Sequence, residues 1–354
     1  METSSKPLTV MIEKHVPFLA GVLEPYANVL YPDTDEITPE LLKNVNAMIV
    51  RSRTKCNEAL LANSKCSLIV TATAGTDHID KEWCGRRGIG VVNCPGSNAP
   101  AVAQYVLSSV VRLANRPLEQ YTIGIVGVGN IGSIVERWCR ALGMNVLVCD
   151  PPRQRAEEDE NKTAGDSRWN SLEEIAEMAD IITFHTPLNP EGHPDRTWHL
   201  ADAEFFASCR HRPVIINASR GAVVDNQALK QALKEGLVSI AALDVWEGEP
   251  KIDRELLDMV AIATTHIAGY SHEGKVRASQ MALDAVTNFF YLPRLNLQTA
   301  SAKACARTVS AMGVMRSYDP MPMTAELKAH PEDFEKIRNT YPFRNEAPEG
   351  EPAR

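Results

Sequence analysis

The chain has 354 residues, 44% apolar and 23% charged, ordinary values for a globular protein of two or three domains. A formal net charge of −8 argues against a protein that coats nucleic acid or an anionic membrane, since both reward a basic surface. The polar residues 1–7 lack the apolar run of a signal peptide, and no later segment approaches the roughly 18 consecutive apolar residues of a membrane span, so small-molecule chemistry in the cytoplasm is expected.

In the first hundred residues, short β-branched runs at 8–12, 27–31, 47–50, 68–71 and 90–93 alternate with amphipathic stretches, the rhythm of a parallel sheet flanked by helices. Residues 98–114 carry a capping Asn98, Pro100 in the first turn, and Val102, Val106, Val110 and Leu113 at helical spacing; this reads as a helix connecting two domains. A second βα series follows, with strands at 123–128, 145–149, 181–184, 214–217, 240–243 and 261–264, which matches a Rossmann sheet. Residues 153–169 are charged and turn-rich and read as a solvated excursion. A helix over 273–291 would return the chain to the N-terminal domain. Beyond residue 293 a helix over 301–315 is expected, and the polar end reads as disordered. The eight cysteines form no CxxC pair and meet no paired histidine spacing, so they read as free thiols and no metal site is expected.

The run Gly127-Val128-Gly129-Asn130-Ile131-Gly132 follows an apolar strand and opens a helix, the context a GxGxxG loop requires. Gly127 allows the turn, Gly129 lets the backbone approach a diphosphate, and Gly132 lets helix and strand pack closely; the helix N-terminus supplies donors. Asp150 ends the next strand, where a carboxylate accepts from ribose hydroxyls and repels a 2′-phosphate, so NAD is favoured over NADP. Arg153 nearby is a counter-indication.

Arg220, Glu249 and His266 stand at the ends of the fourth, fifth and sixth strands, where parallel sheets bind ligands. Oxidising a 2-hydroxy acid needs a base near neutrality and an anchor for the carboxylate. His266 and Arg220 are those types, and Glu249 can orient the imidazole and stabilise its protonated form. Taken singly, an Arg or Glu near a strand end is more often a surface ion-pair partner, and a lone His more often structural than catalytic. His78, His185, His199 and His272 lack such placement and read as structural or cofactor-lining.

With these residues the sequence resembles the D-2-hydroxyacid dehydrogenase family from about Ile12 to Phe290; Ala74-Gly75-Thr76-Asp77-His78-Ile79-Asp80 and Gly221-Ala222-Val223-Val224-Asp225 are similar to family signatures. Within it, Arg51-Ser52-Arg53-Thr54-Lys55, Thr71-Ala72-Thr73-Ala74-Gly75, Trp246-Glu247-Gly248-Glu249-Pro250, the run His266 to Lys275 and the tail 331–342 resemble the branch that oxidises 4-phosphoerythronate in pyridoxal phosphate synthesis.

The resemblance implies an α/β chain: a Rossmann NAD-binding domain over 98–274 and a discontinuous flavodoxin-like substrate domain over 1–97 and 275–292. It also implies a short C-terminal dimerisation segment over 293–345, leaving 346–354 disordered, and a homodimer. Ser52, Thr73 and Tyr270 would contact substrate. Asp150, Thr186, Asp244 and Gly269 would contact NAD, with Gly127, Gly129, Asn130, Ile131, Gly132, Ala218, Ser219 and Arg220 lining the cofactor. Arg51, Arg53 and Lys55 form a basic cluster for a small phosphorylated 2-hydroxy acid; a solvated basic turn is the equal alternative. The same catalytic groups would serve 3-phosphoglycerate, glycerate or hydroxypyruvate, or persist in a non-catalytic, NAD-sensing corepressor-like protein. Two departures stand out: Gln104 replaces the family's usual glutamate, and the tail is shorter than a full C-terminal domain.

Overall fold

The computed structural model describes residues 8–160, 168–299 and 302–348. The chain forms two compact units, Met1–Asn98 with Ser271–Ala304, and Ala99–Tyr270 with Cys305–Arg354. In the first, β1 (Thr9–Ile12), β2 (Asn28–Leu30), β3 (Ala47–Val50), β4 (Leu68–Thr71) and β5 (Gly90–Asn93) form a parallel sheet in the order β2-β1-β3-β4-β5, the flavodoxin-like order. Alternate side chains go to opposite faces. Val10, Ile12, Ile49 and Val70 pack with Ala278, Ala282, Leu283 and Val286 of the helix His272–Phe289, while Met11, Met48, Val50 and Ile69 pack with Leu42, Leu61 and Trp83. One face of the N-terminal sheet is therefore filled by a helix encoded after the whole second sheet.

The second unit contains β6 (Thr122–Val126), β7 (Asn145–Cys149), β8 (Ile181–Phe184), β9 (Val214–Asn217), β10 (Ile240–Leu243) and β11 (Ile262–Ala263), parallel in the order β11-β10-β9-β8-β6-β7. Outside β7, Trp169 forms a parallel bridge to Val148, and the Asn170 N–H donates to Val148 O at 2.8 Å. Counting that bridge as the third strand, the sheet has the 3-2-1-4-5-6 Rossmann order with one more strand at the far edge. The stretch read as a solvated excursion is thus corrected at both ends, because Pro151–Glu160 is helical as well. That helix has no apolar face to announce it. It is held by the Arg153–Glu157 and Gln154–Glu158 pairs, 3.0 and 2.9 Å, at i,i+4 spacing.

The helix Ala99–Leu113, buried from Ala99 to Val110, covers one face with the helix Gly132–Ala141. The helices Leu172–Met178, Ala203–Ser208, Asn226–Glu235 and Arg254–Met259 cover the other. The chain beyond 293 divides: residues up to Ala304 belong to the first unit, and Cys305 onward to the second. The helix expected over 301–315 starts only at Ala311, where Ser310 caps it through the Gly313 N–H, and two further helices, Met321–Ala329 and Phe334–Thr340, follow. Val309, Val314, Tyr318 and Met323 enter one core cluster, Leu327 and Phe334 the other. Thr324 Oγ1 accepts the Ala263 N–H at 3.0 Å, so the tail covers the edge strand β11. Ala347 is buried, which corrects the disorder expected from 346 onward; residues 349–354 lie outside the described residues. All eight cysteines are free thiols. Among the described residues no helix is long and apolar enough to cross a membrane.

Candidate active site

From Val126 the chain turns at once through Gly127 toward the helix Gly132–Ala141, whose Ser133 and Ile134 N–H groups donate to Gly129 O (3.1 Å) and Ile131 O (2.9 Å) of the turn. Gly127 has φ +89°, and a Cβ on it would lie 2.8 Å from the His185 carbonyl carbon; a Cβ on Gly132 would stand 2.0 Å from Gly127 O. Around Gly129 the same test meets nothing within 4 Å. Two glycines therefore close the turn, and the third leaves its outer side open to a ligand. Asp150 accepts the Val128 N–H at 2.8 Å, which puts a carboxylate at the loop. Arg153 donates to Val128 O (2.5 Å) and Glu157 (3.0 Å), so its cation is engaged locally. Thr186 Oγ1, beside Gly127, is buried with no hydrogen-bond partner among the described residues.

Three loops beyond the carboxyl ends of β9, β10 and β11 carry Arg220, Glu249 and His266. Fully buried Asn217 shapes the first: Oδ1 accepts from Ser219 N (3.1 Å) and Oγ (2.9 Å), and Nδ2 donates to Arg220 O (2.9 Å). A Cβ on Gly221 would lie 2.1 Å from the Trp246 carbonyl, so this loop rests directly on the next. There Glu249 accepts from the Trp246 N–H (2.8 Å) and meets His266 Nδ1 at 2.9 Å. Burial opposes ionisation of Glu249, but the hydrogen bond and charge of His266, then the Trp246 N–H and Arg338, outweigh it and hold the carboxyl below its usual range. A carboxylate on Nδ1 assigns the proton to that nitrogen and leaves Nε2 as the basic one.

His266 itself has φ +60°, a left-handed conformation that a side chain other than glycine adopts only when its surroundings enforce it. Asp244, 1% exposed, supplies much of that enforcement. Its carboxylate accepts from Ile267 N (2.8 Å), Ala268 N (2.9 Å) and Thr264 Oγ1 (2.7 Å), and its carbonyl from His266 N (2.8 Å). Gly269 and Tyr270 complete the same loop.

Arg51, Ser52, Arg53 and Thr73 belong to the other unit, beyond the carboxyl ends of β3 and β4. Arg51 gives Nε (2.8 Å) and Nη2 (2.7 Å) to Glu13, a fully buried carboxylate that also accepts from the Thr34 and Thr54 hydroxyls. Thr73 Oγ1 lies 2.7 Å from Thr71 Oγ1 and donates to Gly75 O at 3.1 Å. Ser52, Arg53 and Lys55 are exposed, and a hollow of about 550 Å³ is lined by Ser52, Lys55, Asn57, Asp77, His78 and Asp80.

Among the described residues, His199, Asp225 and Glu247 have the composition of a metal site. They form a hydrogen-bonded clamp: Glu247 and Asp225 approach opposite ring nitrogens of His199 at 2.7 and 3.5 Å, and both carboxylates also accept backbone N–H groups at the start of the helix Asn226–Glu235.

Residues 102–268 match the NAD binding domain of the D-isomer specific 2-hydroxyacid dehydrogenases. The erythronate-4-phosphate dehydrogenase of Bacteroides thetaiotaomicron is 42% identical over 346 residues, 96% of this chain and 97% of its own length. The chain belongs to the erythronate-4-phosphate dehydrogenase branch of the D-2-hydroxyacid dehydrogenases. A second member, from Edwardsiella ictaluri, is 39% identical over 96% of this chain and 93% of its own. Among solved structures, the D-lactate dehydrogenase of Aquifex aeolicus complexed with NAD and lactic acid aligns with 80% of this chain and 95% of its own, with a TM-score of 0.65 and 25% identity.

As a NAD-dependent D-2-hydroxyacid dehydrogenase, the chain needs a cradle for a dinucleotide. The open side of Gly129, the Asp150 carboxylate at the loop and the unpartnered Thr186 hydroxyl fit one. Near the D-2-hydroxyacid dehydrogenase loops, the departure at Gln104 has a structural reason, and two residues, Arg338 and Arg344, are not legible in the sequence. Gln104 is fully buried; its Oε1 accepts from Arg344 Nε (2.9 Å), and its Nε2 donates to Ser317 Oγ (2.9 Å) and Asn345 O (3.1 Å). The family's usual glutamate has no donor for that carbonyl, so the departure suits this chain's own tail. Arg338 and Arg344 reach the active-site loops from the tail, Arg338 lying close to Tyr270 and Glu249. The only local signal is the arginines of the aromatic-rich run Arg338 to Arg344.

Proposed function

We propose that the chain oxidises 4-phospho-D-erythronate to (R)-3-hydroxy-2-oxo-4-phosphobutanoate in pyridoxal phosphate synthesis, acting in the cytoplasm as a homodimer. The observation that carries the chemistry is the His266–Glu249 contact at the carboxyl ends of a NAD-binding sheet. The substrate is that of its branch relatives. Gly127, Gly129, Asn130, Ile131 and Gly132 would hold the diphosphate, Asp150 the adenosine ribose, and Thr186, Ala218, Ser219, Asp244 and Gly269 the remainder of NAD. Bound NAD supplies the acceptor for the hydrogen leaving C2 with its electron pair.

The protein's part is to bind, orient and take the proton. Arg220 offers a planar fork to the substrate carboxylate and favours the carbonyl developing at C2. His266 Nε2 takes the C2 hydroxyl proton, and Glu249 stabilises the imidazolium through Nδ1. The carboxylate needs no proton of its own for this. Ser52, Thr73 and Tyr270 contact the substrate, and Arg51 with Arg53 meets its phosphate; Arg51 does so with the edge of its guanidinium not turned to Glu13. Support for the homodimer is the exposed pair Met312 and Met315, 60% and 41% accessible, on one face of a tail helix.

NADH formation at 340 nm with 4-phosphoerythronate, 3-phosphoglycerate and glycerate tests the reading, with light scattering for the oligomeric state. Turnover should be fastest with the first acid. Tight NAD binding without turnover of any acid would favour a sensor.

A further inference from the structure

We infer that Arg344, near the end of the tail, is a positioning residue of the active site: its guanidinium fixes the 267–270 loop, which joins His266 to Tyr270. Nη1 donates to Ile267 O and Tyr270 O, both 3.1 Å; Nη2 donates to Ala268 O (2.5 Å) and Ala101 O (2.9 Å); Nε donates to Gln104 Oε1 (2.9 Å). The group is stacked over the Tyr318 ring, 4.2 Å from its centroid. Both terminal nitrogens and Nε are thus engaged, and three of the five acceptors are carbonyls of the one loop.

Asp244 grips the same loop through its amides, Ile267 N and Ala268 N. The carbonyls are gripped by Arg344 and the amides by Asp244, so consecutive peptide groups are held from both sides. Such over-determination is what a left-handed His266 requires. The tail holds the other end too, since the rings of Tyr341 and Phe343 stand edge-on to Tyr270, each with centroids 6.3 Å apart. A lysine cannot replace Arg344 here: it is a point charge with three donors, where the loop meets a planar fork with five. The tail therefore forms part of the site's framework, whatever else it does in assembly.

The inference draws on the proposed reaction only for its activity readout. In full-length protein, Arg344→Ala should lower kcat about 10²-fold, the scale of an ångström-sized misplacement of a reacting group, while the Kd for NADH changes by less than about threefold. Hydrogen exchange in a peptide spanning 266–270 should accelerate about tenfold or more, with β6 to β9 unchanged. Arg344→Lys should lose about tenfold in kcat, and millimolar guanidinium should restore part of the alanine variant's activity. Unchanged loop exchange overturns the inference, and so does a loss of kcat matched by an equal loss of NADH binding. Where the alanine variant does not fold, the lysine variant decides by the same readouts. If the wild type oxidises none of the acids, the substrate reading fails, and loop exchange still decides the role of Arg344.

Discussion

Both units are parallel sheets covered on both faces, yet they hold the residues beyond their carboxyl edges differently. In the NAD-binding unit, buried Asn217 and Asp244 spend polar atoms on the backbone of the Arg220 and His266 loops. In the other unit side chains are spent largely on other side chains, Arg51 on Glu13 and Thr73 on Thr71, with Glu13 and Thr73 also bonded to the backbone of Arg51 and Gly75. The first arrangement fixes the course of the two loops. The second makes a firm platform that carries the exposed residues Ser52 and Arg53. Two parallel α/β sheets thus support the loops at their carboxyl edges in different ways.

The sharpest break of this contrast is His266→Asn, expected to cut kcat by about 10³- to 10⁴-fold with NADH affinity retained, by steady-state kinetics and fluorescence titration. Turnover near the wild-type rate would place the base elsewhere. In the platform, Glu13→Ala should cost about 3–5 kcal/mol of stability in urea titration, because Arg51 loses the partner of a buried pair. Burial opposes ionisation of Glu13, but the charge and hydrogen bonds of Arg51 prevail and lower its pKa, so its contribution is present above the unfolded value of 4.5 and lost as pH falls below it.

A smaller effect concerns His185, which burial pushes from 6.5 down to about 3. The unfolded imidazole takes a proton that the folded one refuses, so stability falls as pH drops through that window. Between pH 7 and 5 this slope should be worth about 2 kcal/mol and vanish in His185→Asn, compared by urea midpoints at both pH values. Smallest is Thr186→Val, expected to weaken NAD binding by about 1 kcal/mol, roughly fivefold, by calorimetry. Unaltered affinity would remove that hydroxyl from the cofactor site.

What can be read along the chain is what local spacing decides. Strands buried on both faces appear as short apolar runs, and the glycines of the 127–132 turn appear because each stands where a Cβ has no room or a ligand needs some. Arg220, Glu249 and His266 were legible because each follows a strand end. Asp244 was legible only through resemblance, and its grip on the following loop depends on a turn that brings residues 244 and 267 together. The helix Pro151–Glu160 escaped because it buries no face, and Trp169 because a single bridge has no period. Arg344 escaped for the opposite reason: its partners, from Ala101 to Tyr270, are distant along the chain and carry it mainly through backbone carbonyls, which any side chains there would offer.

The interleaving of the two units has a consequence for synthesis. The sheet of the first unit emerges from the ribosome early, but the helix His272–Phe289 that covers one face of it follows only after the entire second sheet. The second unit in turn waits for Thr324 to cover β11 and for Arg344 to secure its loop. Each unit waits for a segment encoded after part of the other, so strictly sequential, N-terminal-first folding, the habit of chains with consecutive domains, does not suit this one.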